Sequence, residues 1–112
     1  MTVLEKEVLR ILTKIQKEVV KVYPARVKNV QLLKQNHKGE ETEPFGYYDV
    51  ESHEVFIRLK DYDNSWLSME EIIDTLAHEI AHAAVPKKWS CTHGRMFREK
   101  YLKIMARCLK YV

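Results

Sequence analysis

The 112-residue sequence has few of the features that define several classes of protein. It contains only two cysteines, three glycines and three prolines. No apolar run approaches the ~20 residues that a transmembrane helix needs. The first residues, MTVLEKEVLRILTK, mix charges into their apolar positions, unlike a signal peptide. These absences predict one small domain over residues 1–112, in a soluble, cytoplasmic protein without a membrane partner.

The two cysteines, Cys91 and Cys108, do not form a disulfide framework. If the chain between them is largely helical, a rise of 1.5 Å per residue separates them by ~20 Å. A disulfide needs Cα atoms about 6 Å apart, so we expect no intramolecular bridge. Two free thiols are typical of a reducing compartment.

The net charge of +3 is mild, and acidic residues are interspersed with basic ones. A nucleic-acid-binding protein usually clusters its basic residues on one face. The pair Lys87–Lys88 beside Trp89 is too short to count as such a cluster. The sequence therefore predicts a mostly solvated charged surface, and a nucleic-acid partner is not expected.

Periodicity predicts three helices. Thr2 and Glu5 form a capping box, and Pro24 ends the helix that follows. The apolar positions of this first helix are Leu4, Val8, Ile11, Leu12, Ile15 and Val19. Ser68 and Glu71 form a second capping box, and Pro86 ends the second helix, whose apolar positions are Met69, Ile72, Ile73, Leu76 and Ile80. A third helix is predicted over Gly94–Tyr111, with apolar positions Phe97, Tyr101, Ile104, Met105, Cys108 and Leu109.

Three strands are predicted between the first two helices. They are Arg26–Gln35, Phe45–Val50 and His53–Lys60, and the last two form a hairpin through Glu51 and Ser52. The order of helix, three strands, helix, helix predicts an α+β domain with a mainly antiparallel sheet.

The motif His78-Glu79-Ile80-Ala81-His82 lies inside the second predicted helix. Residues four apart lie on one helical face, so His78 and His82 can reach one zinc ion at ~2.0–2.1 Å. Glu79 is offset by about 100° and can act on a water molecule as a general base without being a ligand. The motif requires a helical context, which the capping box and the apolar face supply.

A catalytic zinc site needs a third protein ligand. His93 follows the Pro86 break and precedes the last helix, so a turn there can bring it back to the metal. Glu99 is an alternative carboxylate ligand, and Cys91 is a weaker one. The remaining histidines, His37 and His53, are expected to be surface or core groups.

The run HEIAHAAVPKKWSCTHGRMF, residues 78–97, resembles the zincin metallopeptidases, especially the H-E-x-x-H…H-G-x-x-F arrangement of SprT-like domains. The short length, without an accessory zinc ribbon, is similar to the minigluzincins and to the catalytic cores of certain membrane metallopeptidases. The resemblance implies one Zn²⁺ per chain and assigns Glu79 as general base, with Gly94 and Phe97 at structural positions. The implied zinc ligands are His78, His82 and His93.

The resemblance further implies a zinc metalloendopeptidase whose peptide substrate lies antiparallel to an edge strand above the helix. His53–Lys60 is the nearest strand in sequence and is the expected rim of that cleft. Minigluzincins are zymogens, so we expect low activity caused by the C-terminal segment, and a homodimer through the last helix. The group that stabilises the oxyanion is left open among Tyr47, Tyr48, Tyr62 and Tyr101.

Three other functions share some of these features. A SprT-like DNA-associated protease would use the same residues. A three-histidine ribonuclease would need a shorter gap than the one from His82 to His93, and it leaves Glu79 without a role. A non-catalytic interaction domain with structural zinc would need Cys91 as a fourth ligand.

Overall fold

The computed structural model describes residues 1–33, 45–61, 63–85 and 94–111. The helices in these ranges are α1 (Val3–Val22), α2 (Met69–Ala84) and α3 (Arg95–Cys108), and a short 3-10 turn, Leu109–Tyr111, follows α3. The strands are β1 (Asn29–Leu32), β2 (Gly46–Asp49) and β3 (Glu54–Ile57). The predicted α+β class is confirmed, and every strand is shorter than the sequence pattern indicated.

Both predicted capping residues begin their helices. The hydroxyl of Thr2 accepts a hydrogen bond from the Glu5 backbone N–H at 3.1 Å, and the hydroxyl of Ser68 accepts one from Glu71 at 3.1 Å. Each hydroxyl satisfies one of the N–H groups that a helix leaves unpaired in its first turn. The α2 cap fixes where the helix that carries His78 begins.

The three strands form one mixed sheet in the order β1-β3-β2. β2 and β3 pair antiparallel, as the predicted hairpin requires, with Tyr47 opposite Phe56. β1 pairs parallel to β3, with Gln31 opposite Phe56. The expectation of antiparallel pairing therefore holds for one of the two strand pairs. β1 and β3 run in the same direction because β2, which lies between them in sequence, carries the chain back to the end of the sheet at which β1 began.

Sheet order decides which strand can accept a peptide. β3, the core of the predicted strand His53–Lys60, pairs on both sides and has no free edge, so the prediction that it rims a cleft is wrong. Of the described strands, β1 and β2 lie at the two edges of the sheet, and β2 is the edge strand that contacts α2. The Arg58 N–H donates to the Phe45 carbonyl at 2.8 Å, so Gly46 and Tyr48, which alternate with the bonded positions, turn their backbone polar groups away from β3.

A single apolar core joins the helices to one face of the sheet. Its fully buried residues include Leu12, Ile15 and Val19 of α1, Ile72, Ile73, Leu76 and Ile80 of α2, Val55 and Ile57 of β3, and Ile104 and Cys108 of α3. Three predicted core positions, Leu4, Met69 and Leu109, are exposed, because each lies at a helix end beyond the packed layer. Within the described ranges, no helix is both long and apolar enough to cross a membrane.

Candidate metal centre

His78 and His82 lie one turn apart on α2, with their Nε2 atoms 3.2 Å apart. Two nitrogens bound to one tetrahedral zinc ion at ~2.0–2.1 Å would be separated by about 3.3 Å. The observed spacing therefore fits two ligands of one zinc ion with little rearrangement. The predicted pairing of these two side chains on one helical face is present in the structure.

The aromatic side chains of α3 pack against this histidine pair. The Phe97 ring, which is 3% exposed, lies with its centroid 5.0 Å from that of His78 and 4.4 Å from that of His82. Tyr101, one turn further along α3, meets His78 edge to face at 5.7 Å. Phe97 and Tyr101 are nearly parallel, so together they form an aromatic wall along the pair.

The hydroxyl of Tyr101 donates a hydrogen bond to the carboxylate of Asp74, one turn before His78 on α2. Burial raises the pKa of Tyr101 to about 12, and the Asp74 carboxylate adds to this by accepting the proton of the neutral hydroxyl. Sequence analysis missed this pair. The sequence signal that could have indicated it is a four-residue spacing on both helices. Asp74, His78 and His82 share one face of α2, and Phe97 and Tyr101 share one face of α3.

Glu79 lies on a different side of α2 from the histidines and is 8% exposed. Burial raises the pKa of its carboxyl to about 7, and the backbone N–H of Tyr48, which faces the carboxylate, opposes this rise. The predicted general base is therefore buried beside β2. A carboxyl with a pKa near neutrality can both accept and release a proton at that pH.

β2 approaches α2 closely along the turn that precedes Glu79. A Cβ added to Gly46 would lie 2.6 Å from the Thr75 methyl carbon and 2.7 Å from the Phe56 carbonyl oxygen. Only glycine fits this contact without a shift of the strand or the helix. Gly46 meets Thr75 and Tyr48 meets Glu79, so the outer edge of β2 runs along α2 beside the predicted site.

The described residues include two of the three predicted ligands, His78 and His82. His93, the predicted ligand, and Cys91, an alternative, lie outside the described residues. Within the described part of the chain, no three His, Cys, Asp or Glu side chains are grouped closely enough to hold a metal. Glu99 instead pairs with Arg95 at 3.0 Å on the exposed face of α3, which removes the support for Glu99 as a ligand.

The three described tyrosines that are candidates for the oxyanion role occupy different places. Tyr47 stacks on Phe56 with ring centroids 4.8 Å apart, on the face of the sheet opposite the core. The Tyr48 hydroxyl donates to the Arg26 carbonyl at 2.6 Å and lies 3.0 Å from His53 Nδ1, so His53 is a structural contact. Of these described tyrosines, Tyr101 alone contacts the histidine pair. Tyr62 and His37 lie outside the described residues.

Comparison with known proteins identifies the family of the chain. The model of the WLM domain matches residues 3–111, which is nearly the whole sequence. The chain belongs to the WLM domain family. WLM domains are metalloprotease-like domains related to the SprT-like zincins. No curated protein and no solved structure matches the chain.

Membership of the WLM domain family agrees with the coarser part of the sequence interpretation. It indicates a hydrolase of the metalloprotease-like kind and suggests zinc as the metal. The narrower resemblance to minigluzincins stays a prediction.

Proposed function

We propose that this WLM domain is a zinc-dependent peptidase. His78 and His82 would supply two ligands, and His93 would supply the third. Glu79 would be the general base. The observation that carries the proposal is the 3.2 Å separation of the two Nε2 atoms, with the buried Glu79 carboxyl on the adjacent side of α2.

A bound zinc ion supplies a Lewis acid and lowers the pKa of water toward neutrality. The chain's own residues would do the rest. The carboxylate of Glu79 would accept a proton from water and pass it to the nitrogen of the leaving amine. The raised pKa of Glu79, about 7, suits both transfers near neutral pH. The aromatic wall of Phe97 and Tyr101 would limit water around the histidines.

The edge of β2 is the surface that best fits a peptide substrate. Gly46 and Tyr48 direct their backbone polar groups away from β3. The Tyr48 N–H faces Glu79, so the Tyr48 carbonyl and the polar groups of Gly46 are the ones proposed to pair with a peptide. An extended peptide adds to such an edge through main-chain hydrogen bonds. Added there, a substrate would bring its backbone close to the general base.

The decisive measurement is the zinc content per chain, by elemental analysis after dialysis without chelator. We expect about one zinc per chain in the parent. His93→Ala and His78→Ala should lose most of it, whereas Glu99→Ala should retain it because Glu99 is paired on the outer face of α3. A folded parent without zinc, even after reconstitution, would exclude the proposal.

A peptidase assay then separates catalysis from metal binding. Glu79→Gln should bind zinc as the parent does and lose cleavage of unstructured peptide substrates by several orders of magnitude. Equal cleavage by the parent and by Glu79→Gln would remove the proposed base. A parent that binds zinc tightly but cleaves no substrate, including after C-terminal trimming, would favour a binding domain.

A second candidate, a SprT-like DNA-associated protease, is supported by α1. A surface groove there is lined by four basic residues together with Leu9, Thr13 and Glu18. The basic residues are Lys6, Arg10, Lys14 and Lys17. Their spacing of three or four residues places them on one helical face. Such clustering is the pattern expected of a phosphate-binding surface, although Arg10 is partly neutralised by Glu7.

Binding of labelled single-stranded DNA at several salt concentrations tests this second candidate. A Lys14→Gln/Lys17→Gln variant should bind more weakly than the parent, with a log–log salt slope smaller by about 1.4, since each phosphate contact contributes ~0.7. Lys103→Gln/Lys110→Gln removes the same charge from α3 and the 3-10 turn that follows it, and serves as the control. If both variants weaken DNA binding equally, the α1 face has no special role, and the binding reflects only non-specific attraction between DNA and a positively charged protein.

A further inference from the structure

We propose that Tyr101, held by Asp74, is a positioning residue that fixes the ring of His78 for metal binding. The inference rests on the proposed metal site. It concerns the described contacts between α2 and α3.

The geometry joins three side chains across the two helices. Asp74 and His78 lie one turn apart on α2, and Tyr101 reaches both from α3. Its hydroxyl donates to the Asp74 carboxylate, and its ring stands edge to face against the His78 imidazole at an angle of 70°. The hydrogen bond therefore fixes the position of the Tyr101 ring, which limits the rotation of the His78 imidazole.

The Tyr101 ring completes the packing on His78 that Phe97 begins. Phe97 contacts both histidines, so it restrains the pair as a unit. Tyr101 stacks on Phe97 and meets the ring of His78 edge to face. A metal ligand whose rotamer is already fixed loses less conformational freedom on binding. Tyr101 should therefore contribute to metal affinity without touching the metal.

The hydrogen bond between Tyr101 and Asp74 is a poor candidate for a purely structural role. The α2–α3 contact already buries Phe97, Ile104 and Cys108 against the core. Asp74 is exposed and Tyr101 only partly buried. Removing one hydrogen bond at this rim should leave the fold intact and should alter the freedom of the His78 ring.

The experiment measures the zinc dissociation constant by competition with a chromophoric chelator. Tyr101→Phe keeps the ring and removes the hydroxyl, and Asp74→Asn removes the charged acceptor. We expect each to weaken zinc binding by about 10- to 100-fold, the range found for partners that orient metal ligands. The double variant should be no weaker than the weaker single variant, because both changes remove one interaction.

Two further measurements separate positioning from general destabilisation. The visible spectrum of the Co²⁺ form should change in Tyr101→Phe, because the ligand geometry changes with the His78 ring. The urea midpoint of the metal-free protein should move little. Tyr23→Phe is the matched control, since Tyr23 is also a partly buried aromatic beside α3, with Lys100 Nζ 5.8 Å from its ring. It should leave zinc affinity and the Co²⁺ spectrum unchanged.

The outcomes distinguish this inference from the proposed function. A parent that binds no zinc overturns both. A parent that binds zinc, with Tyr101→Phe within twofold of it and an unchanged Co²⁺ spectrum, overturns only the positioning role. If Tyr101→Phe loses no more zinc affinity than the control Tyr23→Phe, the positioning role is likewise overturned.

Discussion

The backbone N–H of Tyr48 faces the carboxylate of Glu79, and this contact joins the edge strand β2 to the helix that carries the histidine pair. The Tyr48 side chain is anchored by its hydroxyl, which donates to the Arg26 carbonyl and lies 3.0 Å from His53 Nδ1. The strand therefore delivers a fixed donor to a buried carboxyl. The general base predicted from sequence is positioned by a strand as well as by its own helix.

Metal-free stability should depend on pH through Glu79. Its folded pKa is raised from 4.5 to about 7, so the folded state holds the proton more tightly than the unfolded state. The resulting stability is fully present below pH 4.5 and is lost as pH rises to about 7. The loss is on the order of 3 kcal/mol. Glu79→Gln cannot titrate and should not show it.

Urea denaturation of both proteins in the presence of a chelator checks this prediction. The Gln variant should gain stability relative to the parent between pH 4.5 and pH 8. The other titrating groups are common to both proteins, so the difference isolates Glu79. A difference that does not change with pH would mean that Glu79 is not desolvated in the metal-free fold.

Gly46→Ala should separate β2 from α2. The new methyl group would meet the Thr75 methyl group and the Phe56 carbonyl, so the strand or the helix must move. Overpacking of this kind costs about 1–3 kcal/mol, and it should also displace the Tyr48 N–H from Glu79. The urea midpoint measures the first effect, and peptidase activity measures the second.

Thr75→Ser provides the matched test of that contact. It removes the methyl carbon that the new Cβ would meet and leaves the hydroxyl, which donates to the Glu71 carbonyl at 3.1 Å. In the Gly46→Ala background Thr75→Ser should restore only part of the lost stability, because the new methyl group would still clash with the Phe56 carbonyl oxygen. Purely additive effects of the two substitutions would show that the predicted clash does not occur.

Local signals in the sequence were sufficient to predict the helices and the pairing of His78 with His82 in the candidate site. The Thr2 and Ser68 caps act within one turn, and the spacing of His78 and His82 places both rings on one face without help from the rest of the chain. The hairpin of β2 and β3 is likewise local. These features depend on residues close in sequence, so a periodic pattern can predict them.

Contacts between distant segments could not be obtained in the same way. Nothing in the β1 pattern says whether it pairs parallel or antiparallel, because both directions bury the same alternate residues. The edge position of β2 depends on which strand of the hairpin β1 joins, and β1 joins β3. The partner of Glu79 depends on how β2 packs on α2. The Tyr101–Asp74 contact depends on how α3 packs on α2. The basic face of α1, by contrast, was visible in the four-residue spacing of Lys6, Arg10 and Lys14.

Cys108 should be unreactive toward thiol reagents in the folded protein. It is a free, fully buried thiol, and burial raises its pKa to about 12. At pH 8 the reactive thiolate is therefore a minute fraction of an inaccessible group. In a Cys91→Ser background, labelling should require unfolding and should accelerate strongly in urea. Rapid labelling in buffer alone would show that the end of α3 opens.

The predicted latency should operate between copies of the chain. Tyr111 lies in the 3-10 turn after α3 and packs against the core. It follows Phe97, which contacts both histidines, by 14 positions, about 21 Å at 1.5 Å per residue, so Tyr111 is well away from the histidines of its own chain. Leu102 of α3 and Leu109 of the 3-10 turn that follows it are exposed and seven residues apart, which gives copies an apolar stripe through which to pair. We therefore predict that the specific activity of the full-length chain rises on dilution.

Truncation after Cys108 tests this latency while keeping the fully buried residues of α3, although it removes Tyr111 from the edge of the core. A longer truncation would remove Ile104 and Cys108, which are fully buried, and would unfold the domain. The shortened chain should keep its zinc and have a specific activity independent of concentration. Leu102→Lys in the full-length chain should have the same effect, because it places a charge in the stripe and leaves the tail intact. Concentration-independent activity of the unmodified chain, monomeric throughout, would contradict latency between copies.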